Sequence, residues 1–233
     1  MPSTFEANLE DVRSRIAAAA ERCGRDPSEV RLVAVSKTHS ASTIRHAITA
    51  GIDIFGENKV QEAESKITEI GRDAAEWRLI GHLQSNKARK AVELFDLIES
   101  LDSVDLAKRL ERICIEDGRS ELPVFAEVDL AGEATKNGIA EAELPELVRI
   151  LKHCVCLRLQ GLMLLPPFSE DPEASRPYFR RLRKIRDEMQ ADGAFGAATG
   201  ELSMGMSHDF EVAIEEGATV VRIGTAIFGQ RTV

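Results

Sequence analysis

No stretch of this sequence approaches the roughly 18 consecutive apolar residues of a membrane-spanning helix, so no membrane partner is expected. Cationic excess is missing too: 30 Lys and Arg against 39 Asp and Glu leave a net charge of −9. A protein built on a nucleic-acid backbone needs the opposite balance, which sets that class aside. Met1 to Asp11 carries no basic segment followed by an apolar core, so no secretory signal is read there. Pro/Gly/Ser-rich linkers and low-complexity segments are absent, and only 5% of residues are aromatic. The chain of 233 residues reads as one soluble globular domain, 1–233. Cysteines are few: Cys23, Cys114, Cys154 and Cys156, in segments that read as helix or helix end. His153-Cys154-Val155-Cys156 is the nearest approach to a metal fragment, and no second ligand pair stands at zinc spacing. Reduced thiols and a cytoplasmic location are expected.

What is present is an alternation. Phe5, Leu9, Val12, Ile16 and Ala19 recur at helical spacing over Thr4–Cys23. Eight strand-and-helix units then follow. The strands are read at Leu32–Ser36, Asp53–Phe55, Trp77–Ile80, Leu97–Glu99, Val124–Val128, Leu159–Leu164, Glu201–Ser203 and Thr219–Ile223. Helices are read behind the first seven, several closed by glycine, as at Gly51, Gly71 and Gly217. Such alternation implies a parallel sheet with helices outside, and eight units in this length point to one closed α/β (β/α)8 barrel of the TIM type. The chain runs only briefly past strand eight, so the N-terminal helix is expected to cover the place of a short last helix. An open doubly wound sheet is the alternative. No Gly-x-Gly-x-x-Gly follows the first strand, so dinucleotide binding gains no support.

Chemistry in such a barrel sits at the C-terminal ends of the strands. Seven of the eight ends carry distinctive residues, including Ser36-Lys37-Thr38, Gly56-Glu57-Asn58, Gly81-His82, Lys136-Asn137-Gly138, Met163, Met206-Ser207-His208 and Arg222-Ile223-Gly224-Thr225. Lys37 shares a strand face with Val33 and Val35. If that face is the core face, desolvation favours a neutral, nucleophilic amine; otherwise the lysine head stays in water. Arg222, set among Val220, Val221 and Ile223, needs an acceptor, and Glu57, Glu127 and Asp129 are the candidates. Gly224-Thr225 and the Ser207 step are suited to an anion, a phosphate between the last two loops recurs in these barrels, and Ser207 also suits a plain helix cap. Asn58 and Asn86 read as caps, His82 as a hydrogen-bonded loop residue, and Met163 as packing. A strand-one lysine, a strand-eight arginine and a phosphate cradle together describe a Schiff-base pocket for a phosphorylated aldehyde, which pyridoxal 5'-phosphate fits.

The motifs Leu32-Val-Ala-Val-Ser-Lys37, Phe55-Gly-Glu-Asn58, Ile80-Gly-His-Leu-Gln-Ser-Asn-Lys87, Gly161-Leu-Met163, Leu202-Ser-Met-Gly-Met-Ser207 and Val221-Arg-Ile-Gly-Thr-Ala-Ile-Phe-Gly229 resemble the pyridoxal phosphate homeostasis protein family. The resemblance runs from about Leu32 to Gly229. It implies the barrel of the alanine racemase N-terminal domain, with the cofactor as an aldimine on Lys37. It further implies Arg222 near the ring nitrogen, Ser207, Gly224 and Thr225 around the phosphate, and Asn58, His82 and Met163 lining the pocket. Lys59 and Arg78 depart from the residues that the family often has there.

The family resembles racemases in fold and is described as lacking established catalysis. Racemisation by two bases needs a second proton carrier opposite the lysine. The only tyrosine, Tyr178, falls on an outer helix. The expectation is a monomeric, non-enzymatic protein of pyridoxal phosphate homeostasis, with apo enzymes that use the cofactor as possible recipients. A racemase-like enzyme is the alternative, and a cofactor-free Schiff-base aldolase a second one.

Overall fold

Short runs of valine, isoleucine, leucine and phenylalanine supply strands because they fill both faces of a buried parallel sheet. The computed structural model describes residues 4–132 and 137–229. Its strands are β1 (Arg31–Val35), β2 (Ile54–Glu57), β3 (Glu76–Leu79), β4 (Leu97–Leu101), β5 (Leu122–Asp129), β6 (Ile139–Ala140), β7 (Leu157–Met163), β8 (Glu201–Met206) and β9 (Val220–Ile223). All but β6 form a parallel ring in chain order, closed where β9 pairs with β1 and β4 with β5. The expected (β/α)8 barrel is therefore present. The two-residue β6 pairs with β5 alone and was not foreseen, since two residues are too few to show an alternation.

The helices are α1 (Phe5–Arg22), α2 (Ala41–Thr49), α3 (Val60–Ile70), α4 (Ala88–Leu94), α5 (Val104–Glu116), α6 (Leu144–Leu151), α7 (Arg176–Ala191), α8 (Phe210–Glu215) and α9 (Thr225–Phe228). Serine hydroxyls start two of them: Ser40 accepts from Thr43 N–H and Ser103 from Leu106 N–H, both at 3.3 Å. Lys136, named among the rim residues, lies outside the described residues.

Strand alternation sorts the core into two. Val33, Ile54, Leu97, Phe125, Met163 and Val220 pack together inside the barrel. Their neighbours Ala34, Phe55, Ile98, Val124, Leu162 and Val221 face the helices. Helix α1 packs against α8 and the four-residue α9, as expected from the short eighth unit. Asn8 donates to Ile227 O at 3.1 Å, and Arg15 grips Glu211 through two bonds of 3.0 Å.

Leu9 on α1 is 3% exposed and belongs to the outer core. Replacing it with Ala should lower unfolding free energy by about 3 kcal/mol, read from urea midpoints. A loss under about 1 kcal/mol would mean that α1 is not part of the cooperative unit.

Candidate cofactor site at the strand ends

Val33 lies in the interior cluster, and Lys37 stands two residues past the end of β1 at Val35. It is half-buried in the turn that follows the strand. Strand β9 runs alongside with Arg222 opposite Val33, so the lysine and the arginine rise from neighbouring strands. Gly224 follows at the top of β9. A Cβ there would lie 3.3 Å from Val35 O, so the close approach of the two strand ends depends on glycine.

Arg222 is buried inside the barrel, two residues above Val220. It donates to Ser203 Oγ at 2.5 Å and to Leu164 O at 2.8 Å. Ser203 passes its own proton to Glu99 Oε2 at 2.6 Å, and Glu99 lies 4.0 Å from the guanidinium. Glu99 Oε1 also accepts from Arg78 at 3.1 Å, and Arg78 Nε reaches Glu76 at 2.7 Å. A relay of alternating charge thus crosses the interior. Burial draws the Arg222 pKa below the usual arginine value, opposed by the carboxylates of Glu99, Glu127 and Asp209.

This corrects the expected partner of Arg222. Glu57 turns outward to α3, and among the described residues neither it nor Asp129 bonds to the guanidinium; Glu127 acts only through its charge. Glu99 was missed because β4 was read as ending there. The strand continues to Leu101, which leaves Glu99 in its middle with no exposure. A carboxylate in so apolar a run, Leu97-Ile-Glu-Ser-Leu101, was the available signal for a buried cation.

The loops after β8 and β9 touch: Ser207 Oγ accepts from Ala226 N–H at 3.3 Å. Ser207 is not a helix cap, because α8 begins only after Asp209. Asp209 instead accepts from Met206 N–H at 2.8 Å and from Ser175 Oγ at 2.9 Å, which tightens the turn holding Ser207. Gly205 enters that turn at φ 92°, and a Cβ would come within 2.6 Å of Ala213 Cβ. Thr225 is exposed beside it, and Met163 closes the interior from β7. Lys37, Met163, Ser207, Arg222, Gly224 and Thr225 therefore gather on β1 and β7 to β9.

Asn58 and His82 lie farther round the rim. With Lys59, Gln61, Gly81, Gln84 and Lys87 they line a cleft of about 340 Å³. Asn58 caps nothing: Lys59 is the N-cap of α3, and Asn58 Oδ1 is buried with no partner among the described residues. Asn86 is no cap either, since it sits inside the short 3-10 turn Ser85–Lys87. His82 is exposed, and its Nδ1 lies 2.9 Å from Asp102, an acid partner that the sequence did not supply.

One further group faces the interior. Glu127 follows Phe125 by two residues on β5 and stands opposite Met163. Burial pushes its pKa up to about 7, helped by the charges of Asp102 and Asp129 and opposed by Arg222.

Residues 7–232 match the family model of the alanine racemase N-terminal domain. The chain is 43% identical to the pyridoxal phosphate homeostasis protein of Aquifex aeolicus over 96% of both chains. It is 44% identical to that of Escherichia coli K12, over 96% of this chain and 95% of the relative. The chain belongs to the pyridoxal phosphate homeostasis protein family. Among solved structures, PipY of Synechococcus elongatus with PLP bound shares 40% identity at a TM-score of 0.81, covering 97% of this chain and all of that one. Alanine racemase from Corynebacterium glutamicum shares 16% identity at a TM-score of 0.65; 97% of this chain matches 62% of that one, a likeness of fold alone. The homeostasis family thus shares its barrel with larger racemases.

Glu127 makes stability depend on pH. Its pKa is raised from 4.5 to about 7 by folding, so its contribution is full below pH 4.5 and is lost as pH rises through about 7. Glu127→Gln should therefore gain on the wild type with rising pH, by on the order of 3 kcal/mol between about pH 4.5 and pH 8. Urea unfolding at the two pH values checks this, and a pH-independent difference would remove Glu127 as the titrating group.

Proposed function

We propose that this protein binds pyridoxal 5'-phosphate covalently through Lys37 as a single cofactor-holding barrel, and buffers or delivers it without turning over a substrate. The observation that carries the reading is the pairing of a half-buried lysine just past the end of β1 with a buried arginine on the adjacent strand. The described residues suit the group. Ser207 and Thr225 offer hydroxyls beside Gly224 for a phosphate. Asn58 brings a buried oxygen that lacks a donor, and His82 stands next to it.

When bound, the cofactor supplies an aldehyde that condenses with amines and a ring that draws electrons from them. The chain's own groups limit the second property. Arg222 is anchored by Ser203 and Leu164 O, and its positive charge would disfavour a proton on a ring nitrogen held near it. Tyr178 sits on the outer helix α7, packed against the outer core, so it is no proton carrier for the interior. The amine of Lys37 would hold the aldehyde, and incoming amines would compete with it for the same group. Apo enzymes that use the cofactor are the recipients in this reading.

A racemase-like activity is the second reading, favoured by one observation: Glu127, titrating near 7, faces the same interior. Borohydride reduction of the loaded protein and peptide mapping test the binding site. One phosphopyridoxyl adduct on Lys37, lost in Lys37→Ala, is expected; labelling spread over Lys37, Lys59 and Lys87 would overturn it. Deuterium exchange at the α-carbon of amino acids should stay at the level of free cofactor. Faster exchange that depends on both Lys37 and Glu127 would replace the carrier with an enzyme.

A further inference from the structure

The peptide that carries Lys37 is held from outside the barrel. Ser36, the residue before it, is buried on the helix side of the sheet. There it meets Lys66 of α3, 6% exposed, and Glu57 of β2, with no exposure. Lys66 Nζ has three hydrogens to donate and finds three acceptors: Ser36 O at 2.7 Å, Glu57 Oε1 at 2.6 Å and Glu62 Oε1 at 2.7 Å. Glu57 Oε1 also accepts from the Ser36 hydroxyl at 2.6 Å. Glu62 also accepts from Thr38 N–H. Ser36 O is shared with His39 N–H at 3.1 Å, which closes the turn around Lys37.

We propose that Lys66, with Glu57 and Glu62, is a positioning device that clamps the backbone on both sides of Lys37 and sets the direction in which its side chain enters the barrel. The proposal deepens the cofactor reading and rests on it. Two features argue against a role in stability alone. Thr38, a β-branched residue, is held at φ 69°, a left-handed conformation that persists only where its surroundings over-determine it. The network also leaves Glu57 Oε2 buried without a partner, and burial pushes the Glu57 pKa up despite Lys66 and Ser36. Apolar side chains of the same size would stabilise that spot as well or better. What they would not do is hold Ser36 C=O and Thr38 N–H in place.

The test uses two variants of the full chain. Lys66→Met with Glu57→Gln removes both buried charges together, so that no uncompensated ion is left behind. Glu62→Ala removes the hold on Thr38 and one of the three acceptors of Lys66, from a side chain 26% exposed, and leaves the Lys66 bonds to Ser36 O and Glu57 in place. Amide hydrogen exchange is measured without cofactor, and pyridoxal 5'-phosphate affinity is measured by titration. In the double variant the Thr38 and His39 amides should exchange about tenfold faster while β5 amides keep wild-type rates, and affinity should fall about tenfold, the equivalent of one charge-assisted hydrogen bond. Glu62→Ala should do the same by about threefold, with Thr38 leading. Unchanged Thr38 exchange and affinity in a folded double variant would overturn the clamp. So would faster exchange through the whole barrel, which is the mark of lost stability alone. If the double variant does not fold, Glu62→Ala decides by the same two outcomes. Absence of a Lys37 adduct in the wild type would refute the cofactor reading instead, and the exchange data on cofactor-free protein tell the two failures apart.

Discussion

A guanidinium buried in a barrel of valine, isoleucine and phenylalanine is tolerable only if its charge and its donors are answered. Arg222 sets that demand, and much of the interior is arranged to meet it. Ser203, Leu164 O and Glu99 answer it directly, and Glu99 in turn needs Arg78, which needs Glu76. These groups come from β3, β4, β8, β9 and the segment after β7, and the bond from Ser203 to Glu99 that joins the two halves of the relay is made only when the ring closes. The polar interior and the apolar layer beneath it are therefore one construction.

The same alternation that creates this interior also creates an outer face just behind it. Val33 belongs to the inner face and Ser36 to the outer one. Each face carries a buried lysine or arginine held by carboxylates: Arg222 inside, Lys66 outside. One residue of strand register separates the two systems, and a slip would exchange them. Gly56, Gly205 and Gly224 sit where that register leaves no room for a Cβ without displacing a neighbour.

Much of the fold was legible. Helix α3 was read at its observed bounds, and the eight barrel strands were found to within a few residues at each end. The partners of charged residues did not follow. Glu62 and Lys66 look like an ordinary exposed pair one helical turn apart, because nothing local says that this face of α3 lies on Glu57. Ser207 looks like a helix cap, because its actual contact, Ala226 N–H, arrives from another unit. Asn58 and His82 come from different strand ends, and only the closed ring shows that they line one cleft.

The sequence by itself determined the barrel and the order of its strands and helices, since periods of 2 and 3.6 are local properties of the chain. The tertiary structure alone decided which acid answers which base. Ser203 and Glu99 lie 104 positions apart, and they meet only because a ring of eight tilted strands sends their side chains to one interior. Burial then makes that meeting obligatory, because a charge removed from water persists only where the fold supplies its partner.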